Sequence, residues 1–282
     1  MPARRLWRLG LVLPLAVLAS LPARAQDAFG PSIECRVPNS QLYTVAALPG
    51  AKAALAEKHA LRILAVGGSA APGASASYPV KLEAALEQAL PHVDVIMEHR
   101  GLPGEIASGA AERLRSLVAD ADPDLVVWQV GTHDAIARVD PTAFTEALDE
   151  AVGWLKSHGI DVVLVDPLYT ASVAADTDYN RIVDGVRAVA TKHGVPLVRR
   201  FEALRYLASR NEKGEGHILG RQFRLNDLGL RCMAEHVALT IANSLGQTPA
   251  PPPGSAPEAK PTPAPEPAGP APASTGAQRS PG

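Results

Sequence analysis

The sequence predicts an α/β domain built on a five-stranded parallel sheet with helices on both faces. Three observations predict it. Short runs rich in Val, Ile and Leu recur along the chain, longer segments with helical patterning separate them, and glycine-rich turns follow the runs. Strand–helix alternation at this spacing implies a parallel sheet covered on both sides.

Strands are predicted over residues 61–66 (LRILAV), 93–99 (VDVIMEH), 124–130 (DLVVWQV), 160–166 (IDVVLVD) and 195–200 (VPLVRR). Their nearly continuous apolar character is that of strands buried on both faces. Helices are predicted over 78–90, 105–120, 141–158, 177–193 and 226–246. The third of these carries clear start and stop signals: Asp140 as cap, Pro141 in the first turn and Gly159 beyond the end. No internal repeat is present.

The N-terminus reads as an export signal. Arg4, Arg5 and Arg8 precede an apolar stretch over 9–21, and Ala23-Arg24-Ala25 has the small-x-small form of a cleavage site. The expected organisation is a signal peptide over 1–25, an N-terminal segment over 26–57, the main domain over 58–247 and a tail over 248–282. The apolar stretch is short for a membrane span, which needs roughly 20 residues, and no later segment is long and apolar enough. The expected location is the periplasm or the exterior. Loss of the signal's four arginines leaves 23 Lys+Arg against 29 Asp+Glu, a net charge near −6. That balance argues against a broad nucleic-acid surface. Twelve of the 26 prolines lie in the tail, which has no Leu, Ile, Val or aromatic residue and is expected to be extended and disordered.

Two cysteines, Cys35 and Cys232, remain in the mature chain. In an oxidising compartment they have one possible pairing, a disulfide tying the N-terminal segment to the last helix; the alternative is two buried thiols. Two cysteines are too few for a zinc site, and no CxxC or HExxH spacing occurs. No metal and no cofactor are expected.

In folds of this class ligands sit outside the carboxyl ends of the strands. The loops there are GGSAAPGAS (67–75), RGLPGE (100–105), GTHDAIAR (131–138) and PLYTAS (167–172), with GHILGRQFRLND before the final helix. In their order and placement these blocks resemble the SGNH hydrolases, the GDSL esterase and lipase family, over about residues 58–246. The resemblance implies a flavodoxin-like three-layer sandwich. It also implies Ser69 as nucleophile and the Gly104 N–H as an oxyanion donor. Gly131 matches the third block, but the family's Asn position holds His133. Asn226, Asp227 and Gly229 match the fifth block, but its Asp-x-x-His positions hold Arg221 and Arg224.

These departures bear on the chemistry. A serine hydroxyl needs a base within hydrogen-bond reach, and that base needs an orienting group. Arginine cannot accept a proton, so Arg224 cannot replace a histidine. His133 can donate to an oxyanion or act as surrogate base; His217 and His99 are weaker candidates for the base, and His236, inside the last helix, reads as structural or solvated. Arg100, Arg221 and Arg224 are candidates for an anion site, or are solvated and paired with acids such as Glu105 and Asp227. Trp128 and Trp154 read as core, and Tyr169 as local packing. Two readings follow. One is an ester hydrolase acting on a small-molecule or glycan ester, such as an acetyl group, with an unconventional base. The other is an inactive domain that binds an anionic or glycan ligand in the envelope.

Overall fold

The computed structural model describes residues 29–68, 77–220 and 224–246. The expected signal peptide and tail, Ser69 and Arg221 lie outside these residues.

The strands are β1 (Tyr43–Thr44), β2 (Ala60–Val66), β3 (Asp94–His99), β4 (Leu125–Gln129), β5 (Asp161–Val165) and β6 (Leu197–Val198). The helices are α1 (Asn39–Leu42), α2 (Pro49–Lys58), α3 (Tyr78–Ala89), α4 (Ala107–Ala121), α5 (Thr132–Ile136), α6 (Pro141–Ser157), α7 (Ala171–Ala174), α8 (Thr177–His193), α9 (Arg200–Ser209) and α10 (Asp227–Leu245). The sheet runs β1-β6-β5-β4-β2-β3. Strands β2 to β6 are parallel and only β1 is antiparallel. Six strands stand where five are expected. The extra one is a two-residue edge strand, too short to carry a periodicity.

The two-residue period of a strand divides the core. Leu64, Val66, Val126, Trp128, Val162 and Leu164 face one side, where α4, α6 and α8 cover them. Leu61, Ile63, Leu125, Val127, Val163 and Val165 face the other, under α2, α3 and α10. Each fully buried side chain of this size contributes about 1.5–3 kcal/mol. The expected three-layer sandwich is therefore present.

Helix ends follow their local chemistry. Asp140 accepts from the backbone N–H of Thr142 and of Ala143, both at 3.0 Å, and so caps α6. Asn226 caps α10 by accepting from Gly229 N–H at 2.9 Å, while its side-chain amide donates to the His217 carbonyl. Gly229 has no room for a side chain, since a Cβ would lie 2.2 Å from the Ile218 carbonyl oxygen. The strand expected over 195–200 is cut to Leu197–Val198 because α9 begins at Arg200. The buried carboxylate of Asp166, just past β5, accepts from Phe201 N–H at 2.7 Å and so starts that helix.

The N-terminal segment is strapped to α10. Cys35 and Cys232 form a disulfide, with Cα atoms 4.9 Å apart. Ser32 donates through its N–H and its hydroxyl to Glu235, at 2.8 and 2.9 Å. The buried imidazole of His236 donates to the Cys35 carbonyl at 2.6 Å. Burial pushes the His236 pKa down to about 4, although the hydrogen bond to Cys35 opposes this.

Two predictions follow from the strap. Replacing Cys35 and Cys232 together by Ser should lower the unfolding free energy by about 2–4 kcal/mol, as measured by urea denaturation; an unchanged midpoint would contradict a formed bridge. The second concerns His236. Its folded pKa lies below the unfolded value of about 6.5, so the unfolded chain binds more protons between pH 4 and 6.5, and this stability is lost as pH falls through that window. Relative to His236→Gln, the wild-type protein should lose about 2 kcal/mol between pH 7 and pH 5. Parallel pH profiles for the two proteins would contradict a neutral buried imidazole.

Candidate functional site

A cleft of about 480 Å³ opens at the carboxyl ends of β2, β3 and β4. This is the topological switch point of the sheet: β3 lies on one side of β2 and β4 on the other. Gly67 and Gly68 after β2, Gly104 and Glu105 after β3, and Gly131 to Asp134 after β4 form its walls, with Leu168 after β5 and Arg224 and Leu225 ahead of α10. The buried side chains of Tyr78, Trp128, Gln129, Arg200 and Met233 form its floor.

The walls depend on close backbone approach. Gly67 has φ +76°, and a Cβ there would sit 2.0 Å from the Gln129 carbonyl oxygen. A Cβ on Gly101 would lie 2.3 Å from the Gly68 carbonyl oxygen, so the turns after β2 and β3 touch. Within the second turn Gly104 has φ +74°, and its N–H donates to no described residue. Glu105 forms a two-pronged pair with Arg113, at 2.7 and 2.9 Å, and Arg113 also donates to the Arg100 carbonyl. The buried carboxylate of Asp134 accepts from Ala107 N–H at 2.8 Å, joining the third turn to the start of α4. Burial raises the Asp134 pKa, with that hydrogen bond working against it.

Two histidines line the cleft. His133 is half-buried on α5. His99 closes β3, and its Nε2 lies 3.3 Å from the Gly67 carbonyl. Burial holds the His99 pKa below the usual imidazole range, with the Gly67 contact opposing. His217 and His236 are not among the lining residues.

The arginines separate. Arg224 lines the cleft, and among the described residues it has no ion-pair partner. Arg100 is not a lining residue; its exposed guanidinium pairs with Glu98 at 2.7 Å. The acids expected beside these arginines are engaged elsewhere, Glu105 by Arg113 and Asp227 by Lys81 at 2.8 Å. Tyr169 packs locally, edge-on to Phe201. Trp154 is partly buried against the core, and Arg115 lies over its ring.

Sequence reasoning missed the cleft floor. Arg200 is buried and donates to the Asp166 carbonyl, Gln129 Oε1, Met233 Sδ and Thr132 Oγ1. Burial raises the Asp166 carboxyl to about 7, despite Phe201 N–H and the nearby Arg187 and Arg200. Tyr179 is pushed up to about 12 by burial and donates to the Leu168 carbonyl at 2.6 Å. Burial also raises Tyr78. The available signal was an Arg pair ending an apolar run, at 199–200; its burial depends on residues far away in sequence.

Several solved structures share the fold. The crystal structure of TesA is 20% identical with a TM-score of 0.55, covering 65% of this chain and 99% of that one. A lipase/acylhydrolase from Enterococcus faecalis is also 20% identical, at TM-score 0.53, covering 67% of this chain and all of that one. A two-domain esterase active on acetylated mannans is 18% identical at TM-score 0.61, covering 77% of this chain and 60% of that one. No curated protein matches. The sequence model of the non-GDSL lipase-like family matches residues 34–247, and the chain belongs to that family.

Proposed function

We propose that this chain is an exported ester hydrolase of the SGNH type, acting on a small-molecule or glycan ester, with Ser69 as nucleophile and a base other than the residue at position 224. One observation carries this reading: the turn after β2, which precedes Ser69 in sequence, is contacted by His99 in a cleft that also holds Gly104 and His133. With Nε2–H directed at the Gly67 carbonyl, Nδ1 of His99 is the proton acceptor. In the proposed sequence Ser69 Oγ attacks the ester carbon and its proton passes to His99. The Gly104 N–H and His133 stabilise the oxyanion. The imidazolium returns the proton to the departing alcohol, and water then hydrolyses the acyl-enzyme by the same path. The Cys35–Cys232 disulfide and the N-terminal sequence pattern support an oxidising location. Among the described residues no helix is long and apolar enough to cross a membrane. An acetylated glycan as substrate is in keeping with the mannan esterase that shares the fold.

Arg224 favours a second reading. A permanent cation in the cleft wall, in place of a histidine, suits a domain that holds an anionic ligand without turnover. A serine-directed fluorophosphonate separates the two. The hydrolase reading predicts covalent labelling of the mature protein, read by intact mass, that disappears in Ser69→Ala and slows by about 10²–10⁴ in His99→Ala. A folded protein that takes no label supports the binding reading, and labelling unaffected by Ser69→Ala contradicts the hydrolase mechanism.

A further inference from the structure

Arg200 brings a permanent positive charge to the floor of the cleft, where the nearby Asp166 acts on it electrostatically but no described carboxylate contacts it directly. Its guanidinium has five N–H donors. Nε donates to the Asp166 carbonyl at 2.7 Å, Nη1 to Gln129 Oε1 at 3.2 Å and to Met233 Sδ at 3.5 Å, and Nη2 to Thr132 Oγ1 at 3.1 Å. All four acceptors are neutral, and one Nη2 hydrogen is left without an acceptor among the described residues. No described carboxylate oxygen lies within 4.0 Å of it. The Asp166 carboxylate is turned away, accepting from Phe201 N–H and facing Arg187 at 3.7 Å. A buried cation is ordinarily matched by an anion, because desolvation is otherwise uncompensated.

A second observation points to the same place. Tyr78, 6% exposed, lines the same cleft, and its buried hydroxyl makes no well-directed hydrogen bond. Its polar neighbours are Gln129, which also contacts Arg200, and Arg200 itself. One spare guanidinium N–H and one spare phenol O–H offer two donors to a small oxyanion. Ile106, Leu225 and Leu230 add apolar surface to a wall that also carries Glu105, His133, Asp134 and Arg224.

We infer that Arg200 and Tyr78 form a carboxylate-binding subsite at the base of the cleft, so that its ligand or substrate is a small organic acid with an apolar body, or an ester carrying such a carboxylate. The inference rests on the cleft being the ligand site and deepens that reading; it does not depend on turnover.

Titration calorimetry with hexanoate and its neutral analogue hexanamide tests it. Wild-type protein should bind hexanoate about tenfold or more tighter than hexanamide. Tyr78→Phe, which removes only the hydroxyl, should weaken hexanoate about fivefold or more and leave hexanamide unchanged. Arg200→Gln should abolish the preference for the acid. Should that variant fail to fold by circular dichroism, the acid–amide comparison in wild type and Tyr78→Phe decides alone. Equal binding of acid and amide, no hexanoate binding at millimolar concentration, or a Tyr78→Phe variant with unaltered hexanoate affinity would each overturn the subsite. Fluorophosphonate labelling at Ser69 without selective hexanoate binding would remove the subsite and leave the hydrolase reading standing. Selective hexanoate binding without labelling would do the reverse.

Discussion

The buried guanidinium of Arg200 is the constraint around which the functional end of the molecule is arranged. It joins the Asp166 carbonyl after β5, Gln129 at the end of β4, Thr132 on α5 and Met233 on α10. The adjacent residue, Phe201, is held by the Asp166 side chain, so one short segment both begins α9 and closes the cleft floor. Thr132 extends the contact by accepting from Leu168 N–H at 3.0 Å, which fixes the loop after β5 against the loop after β4. Removing one member of such a network exposes the others to unpaired burial, which is costly in a low-dielectric interior. The cleft is therefore a preorganised space whose polar floor is rigid and whose wall on the α10 side carries Arg224.

A second device stabilises the back of the domain. The disulfide, the Glu235–Ser32 hydrogen bonds and the His236–Cys35 contact all lie within two turns of α10. They cover a small cluster that includes Leu42, Leu204, Leu207 and Ile218. The same helix supplies Met233 to the cleft floor, and its cap, Asn226, holds the loop that carries Arg224. The N-terminal segment thus steadies the site from behind without entering it.

The sheet and its covering helices were legible in the sequence because their signals are local. Apolar runs mark β2 to β5, Asp140-Pro141 marks the start of α6, and Asn226 with Gly229 marks the start of α10. The candidate site positions are divided by geometry. Gly104, His133 and Arg224 line the cleft, whereas Arg100 turns to Glu98 beside it. What the sequence hid is set by distant partners. Helix α9 starts at Arg200, with the N–H of Phe201 held by Asp166, 35 residues before it. Glu105 is taken by Arg113, eight residues on, once α4 has formed. The contact of His99 with the Gly67 carbonyl appears only when the turn after β2 folds back across the end of β3.

We propose that the cleft is that of an ester hydrolase in which Arg221 and Arg224 stand at the sequence positions of the orienting acid and the base. Restoring the family pair by Arg221→Asp with Arg224→His, and measuring turnover of p-nitrophenyl acetate with and without Ser69→Ala, tests it most directly. A Ser69-dependent rise of about 10²–10⁴ over the wild-type rate is expected. A folded double variant no faster than wild type would contradict this assignment, showing that positions 221 and 224 are not where the missing pair belongs.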